Sequence, residues 1–185
     1  MSLVDGVIFL LFVAIYTASF LAGTVRTVAA LLSWFVVMVA AAFFTGPLTT
    51  ALRGLVPAMS RWASELLGFV LVVGIIGLLG IWGSFWSLRA APFIAGRWRR
   101  QQVGPLGLLL QSILAMVFAI AVVASIVMVA THTIQQLPTD ALGARLRTEV
   151  QRSRLEPIVR DIEPWIQRLT VDWVPGEPPS LLGGR

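Results

Sequence analysis

QQVGPLGLLLQSILAMVFAIAVVASIVMVATHTIQQLPT, residues 101–139, carries no formal charge, and the one titratable side chain in it is His132. An apolar helix of about 20 residues crosses a ~30 Å hydrocarbon layer, whereas helices of water-soluble proteins are interrupted by charge every turn or two. Three further charge-free runs precede this one: Gly6 to Val25, Thr27 to Leu52 and Leu66 to Leu88. The pattern predicts an all-α integral membrane protein with four spans, at residues 3–22, 28–44, 66–88 and 106–130.

Composition points the same way. Hydrophobic residues make up 57% and charged residues 12% of the 185, against about 25% charged in soluble domains. Cysteine is absent, which excludes a disulfide framework, a thiol nucleophile and a zinc–cysteine site. All 14 basic residues are arginine, consistent with a composition bias and suited to phosphate contacts at an interface. The net charge of +5 does not mark a nucleic-acid binder, and no nucleic-acid partner is expected. From Asp140 onward arginines and acids balance, so the excess lies in the first 139 residues, between the apolar runs. There it reads as a topology signal.

Asp5 stands at the very start of the first span and Arg26 follows it, the reverse of signal-peptide flanks. Gly23 and Arg26 sit in a connection of about five residues, so the first two spans are expected to form an antiparallel hairpin, and the last two another. Gly46 and Pro47 are expected to end the second span, with an interfacial connection, and room for a short amphipathic helix, as far as Glu65. The first and third connections share one side and hold Arg26, Arg89, Arg97, Arg99 and Arg100. That side is cytoplasmic by the positive-inside rule, which places both termini outside. The same arginines are candidates for contacts with anionic lipid headgroups.

Charge returns in the tail, and its apolar residues become periodic. Leu155, Ile158, Val159, Ile162, Trp165, Ile166 and Leu169 recur at steps of three and four and mark one face of a helix, a candidate docking face. Pro157 suits its first turn, and Pro164 should kink it or start a second helix. A shorter helix is expected over Asp140 to Ser153, with Asp140 as its cap. The organisation is therefore a membrane domain at 1–136, an amphipathic tail at 137–173 and a disordered end at 174–185.

Gly74, Gly77, Gly80 and Gly83 recur every third residue in the third span, and Ser84 and Ser87 complete small-xxx-small pairs. Small residues let helices approach closely in lipid, so this stretch is the candidate packing surface for other spans or for a second copy; a bending helix is the rival reading. The charge-free cores of the spans hold no acid or base, which argues against proton or sodium coupling. His132 reads as a polar anchor at a span end; no second histidine exists to complete a usual metal-ligand set. A serine nucleophile would need His132 as base and Asp140 to orient it, with no supporting elbow motif. No catalytic residue, cofactor or metal is expected.

Leu-Val-Asp5, the turn Gly23-Thr-Val-Arg26 leading into Ala29-Ala-Leu-Leu-Ser-Trp34, and the tail element Ser153-Arg154-Leu155-Glu-Pro157 together resemble the colicin V production (CvpA) family. Thr27 stands where that family repeats a basic residue and glycine, and Gly104-Pro-Leu-Gly107 lacks the acid that the family carries before the fourth span. The resemblance implies a bacterial inner-membrane protein tied to toxin production or export and to envelope processes, with no catalytic residues. It is compatible with a non-enzymatic scaffold or accessory subunit, a small oligomeric channel, or the membrane half of an envelope protease system. Expected partners are the lipid bilayer and either further copies or another membrane or envelope protein.

Overall fold

The computed structural model describes the backbone of residues 2–90, 104–137 and 141–170, and side chains across 2–79, 104–137 and 143–169. All its regular structure is helical: α1 (Leu3–Ala22), α2 (Thr24–Leu55), α3 (Arg61–Ala90), α4 (Pro105–Gln136), α5 (Ala141–Gln151) and α6 (Glu156–Thr170). Four of these helices, α1 to α4, are long and apolar enough to cross a membrane. This is a multi-pass membrane architecture, and lipid is the solvent of its outer surface.

Two connections are shorter than the sequence suggests. Gly23 alone separates α1 from α2, with φ 88° and ψ 162°, a region of backbone space open essentially to glycine. Thr27, fully buried, donates from its hydroxyl to the Ser19 carbonyl at 2.8 Å and the Gly23 carbonyl at 3.1 Å, which satisfies the backbone left open by so abrupt a turn. Gly46 and Pro47 do not end the second helix: α2 continues to Leu55, and only residues 56–60 separate it from α3. Threonine hydroxyls bond back along the same stretch: Thr45 donates to Ala41 O at 2.6 Å, Thr49 to Thr45 O at 2.7 Å and Thr50 to Gly46 O at 3.2 Å.

Close packing replaces the apolar drive that lipid does not supply. On α2, Ala41, Thr45 and Thr49 are buried at four-residue spacing, and on α3 Ser64 and Gly68 are buried at the same spacing. At Gly68 an added Cβ would stand 3.3 Å from Thr49 Oγ1 and 3.5 Å from Thr45 O, so the absence of a side chain sets the approach of the two helices. Around this seam Met38, Ala42, Phe69, Val72, Ala124, Met128 and Ile166 form the main buried cluster. Polar clasps between spans supplement it: Tyr16 with Ser112 at 2.9 Å, Trp34 Nε1 to Ser125 Oγ at 3.2 Å, and Gln111 to the Phe20 carbonyl. Such bonds average ~0.6 kcal/mol in membranes, so packing carries most of the association.

Among the described residues, α1 lies mainly along α4, α4 along α2, and α2 along α3, while the sequential pair α1 and α2 share a smaller contact. The order of neighbours is thus α1, α4, α2, α3. The tail crosses this row. Leu155 and Val159 pack with Ile8, Val123 and Val127 of α1 and α4, while Ile162 and Ile166 join the cluster shared by α2, α3 and α4. Pro164 is accommodated inside one continuous α6. The shorter tail helix starts at Ala141; Asp140, its expected cap, lies outside the described residues.

Candidate functional site: a clasp between the amino terminus and the tail

Ser2 and Asp5 start α1 with a reciprocal capping box. The Asp5 amide donates to Ser2 Oγ at 3.1 Å, and the Ser2 amide donates to Asp5 Oδ2 at 3.0 Å. This satisfies two donors that the first turn of a helix leaves open. It also uses only one of the two carboxylate oxygens.

The other oxygen reaches across to the tail. Asp5 Oδ1 accepts from the Ser153 hydroxyl at 2.7 Å, the Arg154 amide at 2.9 Å and the Leu155 amide at 3.2 Å. Ser153 Oγ in turn accepts from the Glu156 amide at 3.1 Å. The carboxylate and the hydroxyl together cap the start of α6, whose first amides would otherwise be unpaired. One negative charge therefore sits at the amino ends of two helices, where both macrodipoles favour it. Asp5 is 2% exposed and Ser153 6%, so the bonds are shielded from competing water and are of the strong, charge-assisted kind.

Two further contacts seat the tail against the end of α4. His132 Nε2 lies 3.0 Å from Glu163 Oε1, which also accepts from Gln167 Nε2 at 3.1 Å. Beside this pair a cleft of about 90 Å³ opens between α4 and α6, lined by Thr131, His132, Gln135, Glu156, Arg160 and Glu163 among others. Arg147 of α5 donates to the carbonyls of Ile134, Gln135 and Leu137. Those carbonyls end α4, and a cation there both caps them and complements the negative end of the helix.

The residues singled out in the sequence are distributed unevenly. On the tail face, Ile166 is buried and Leu155, Val159 and Ile162 are partly buried against the bundle, while Ile158, Trp165 and Leu169 are exposed. Gly74 and Gly77 face open space, since an added Cβ would meet nothing within 4 Å. Arg26 is exposed just after the α1–α2 turn. The side chains of Gly80, Gly83, Ser84, Ser87 and Arg89 lie outside the described residues, as do Arg97, Arg99, Arg100 and the end at 174–185. Ser2, Thr27, Gly68 and the pairing partner Glu163 were not anticipated from the sequence. The signal for Ser2 was present: Ser2-x-x-Asp5 and Ser153-x-x-Glu156 are both serine-x-x-acid signatures of a helix start.

Chemically, the arrangement holds helices together. Among the described residues no group of three or more histidine, aspartate or glutamate side chains is placed to hold a metal. No protein-family model, curated protein or solved structure matches the chain.

Proposed function

We propose that this chain is a non-enzymatic, CvpA-like scaffold or accessory subunit of a bacterial cytoplasmic membrane, serving toxin production or export or a related envelope process. The four spans alternate in direction across the bilayer, both termini lie outside the cytoplasm, and the tail is presented on that outer side. The observation that carries this reading is the Asp5–Ser153 clasp, because it joins two of the three short segments on which the family resemblance rests. A buried carboxylate capping a tail helix serves to hold a surface in place. It offers a substrate nothing to react with.

The test is crosslinking in cells from polar positions on the tail's water-facing side, compared between the native chain and Asp5→Ala. A scaffold gives discrete crosslinked partners that disappear when the tail is released. Purification as a lone monomer with unchanged, diffuse crosslinks in both chains would overturn the reading.

The open space at Gly74 and Gly77 supports a second reading, in which copies associate through α3 to form a small channel or export component. Ion or solute flux across liposomes containing the pure protein would support it. An absence of conductance over a range of potentials rejects it.

A further inference from the structure

We infer that α6 is an in-plane membrane helix whose uncovered apolar edge, Ile158, Trp165 and Leu169, is embedded in the lipid of the leaflet on the tail side. This deepens the scaffold reading above, on which it rests for the docking of the tail.

Depth along the spans carries the inference. Gly23 is the turn between α1 and α2, so both helices can be measured from it at ~1.5 Å per residue. Ile8 on α1 and Met38 on α2 are each about 22 Å from that turn, Ala42 about 28 Å and Asp5 about 27 Å. These residues belong to the clusters and bonds that seat α6: Ile8 with Leu155 and Val159, Met38 and Ala42 with Ile166, and Asp5 with Ser153. In a hydrocarbon layer ~30 Å thick, α6 therefore lies within the outermost ~10 Å, the depth at which amphipathic helices embed.

The faces of α6 are oriented to match. At ~100° per residue, Ile158, Trp165 and Leu169 fall within about 40° of one another on the helix. They are 58%, 65% and 53% exposed, whereas Ile166, about a quarter-turn away, is 3% exposed against the bundle. On the side opposite the uncovered edge are Glu156, Arg160 and Glu163, which line the cleft toward Thr131, His132 and Gln135 at the end of α4. The last turns of α4 lead away from the layer, so the polar side of α6 faces water and the uncovered edge faces the layer's interior. That edge is continuous in kind with Leu3, Val7 and Leu10, which are among the exposed apolar residues of α1. Arg168 lies over the Trp165 ring at 5.8 Å, which pairs an aromatic with a cationic group as at headgroup height.

The absence of cysteine makes the test direct. Single cysteines at Ile158, Trp165, Leu169, Arg160 and Ile166 of the full chain are spin-labelled in vesicles of phosphatidylethanolamine and phosphatidylglycerol. Collisions with oxygen and with a water-soluble nickel chelate are then compared. Labels at 158, 165 and 169 should favour oxygen over the chelate several-fold more than the label at 160, with the label at 166 shielded from both. Chelate access at 158, 165 and 169 equal to that at 160 would place the edge in water and overturn the inference. Shielding of all three from both reagents would assign the edge to a protein partner and overturn it equally. Loss of shielding at 166 would undo the docking of the tail itself, and with it the scaffold reading.

Discussion

The Asp5 carboxylate accepts a 2.7 Å hydrogen bond from the Ser153 hydroxyl, across 148 positions of sequence. With the amides of Arg154 and Leu155 on the same oxygen, it is the capping group of a helix at the far end of the chain. Bonds to a charged group contribute ~1.5–3 kcal/mol each, and buried donors left unpaired cost ~1–3 kcal/mol.

Replacing Asp5 should therefore release the tail while leaving the spans folded. Asp5→Ala is expected to lower stability by about 3 kcal/mol, and Ser153→Ala by ~1–2 kcal/mol. Hydrogen exchange resolves where the loss falls. Amides of 154–166 should lose protection in Asp5→Ala while those of 115–128 keep it; uniform loss across both would show that the clasp supports the whole bundle instead.

Gly68 and Gly77 should respond oppositely to a large side chain. Gly68→Leu forces a side chain into the seam against Thr45 and Thr49 and should cost ~1–3 kcal/mol by overpacking. Gly77→Leu meets open space within the chain and should gain up to ~1 kcal/mol from helix propensity. Thermal unfolding in detergent measures both. If Gly77→Leu also abolishes a crosslinked dimer while unfolding no earlier than the native chain, α3 is the surface between copies.

Gly23→Ala tests the one-residue turn. The positive φ of Gly23 costs an L-residue ~1–3 kcal/mol, and nothing crowds the position sterically. The expected loss is therefore of that size, read from the unfolding midpoint. A neutral result would mean that the turn relaxes.

Side-specific labelling checks the topology. Cysteines at Ala58, in the α2–α3 connection, and at Arg152, after α5, should react with a membrane-impermeant maleimide added outside intact cells. A cysteine at Arg26, in the first turn of α2, should react only after permeabilisation. The reverse pattern inverts the topology, and reaction of only one of the first two separates the tail from the α2–α3 connection.

The His132–Glu163 side chains keep 25% and 20% of their surface exposed, so water partly screens the pair and its contribution should be modest. A double-mutant cycle of His132→Ala and Glu163→Ala is expected to give a coupling of ~0.5–1 kcal/mol. A coupling above ~3 kcal/mol would mark the pair as a second clasp comparable to Asp5–Ser153.

The spans were readable because uncharged length is a one-dimensional property: the runs around Phe20, Val36, Val72 and Ala119 each persist beyond what a soluble helix allows. What the sequence could not convey was pairing. Ala41, Thr45, Thr49, Ser64 and Gly68 are individually unremarkable small residues, and only the approach of α2 to α3 makes Gly68 matter where Gly74 and Gly77 do not. Proline misled for a related reason. Pro47 breaks helices in water, but here α2 runs on through it, with Thr45 and Thr49 on either side of the proline packed against Gly68 of α3. The clasp was half-visible. Both serine-x-x-acid signatures marked helix starts, yet nothing in either predicts that one carboxylate serves both ends.

The distance in sequence between Asp5 and Ser153 has a consequence for biogenesis. α1 is made before the other described helices, and Asp5 must wait at the membrane edge while the later spans are inserted. Its tail donors exist only after the chain has been made past residue 155. Until then one carboxylate oxygen lacks the bonds that the finished fold gives it, and the start of α1 is held less firmly than the mature bundle requires. Closure of the clasp is thus a late event in assembly, and it separates a chain whose tail is in place from one whose tail is not.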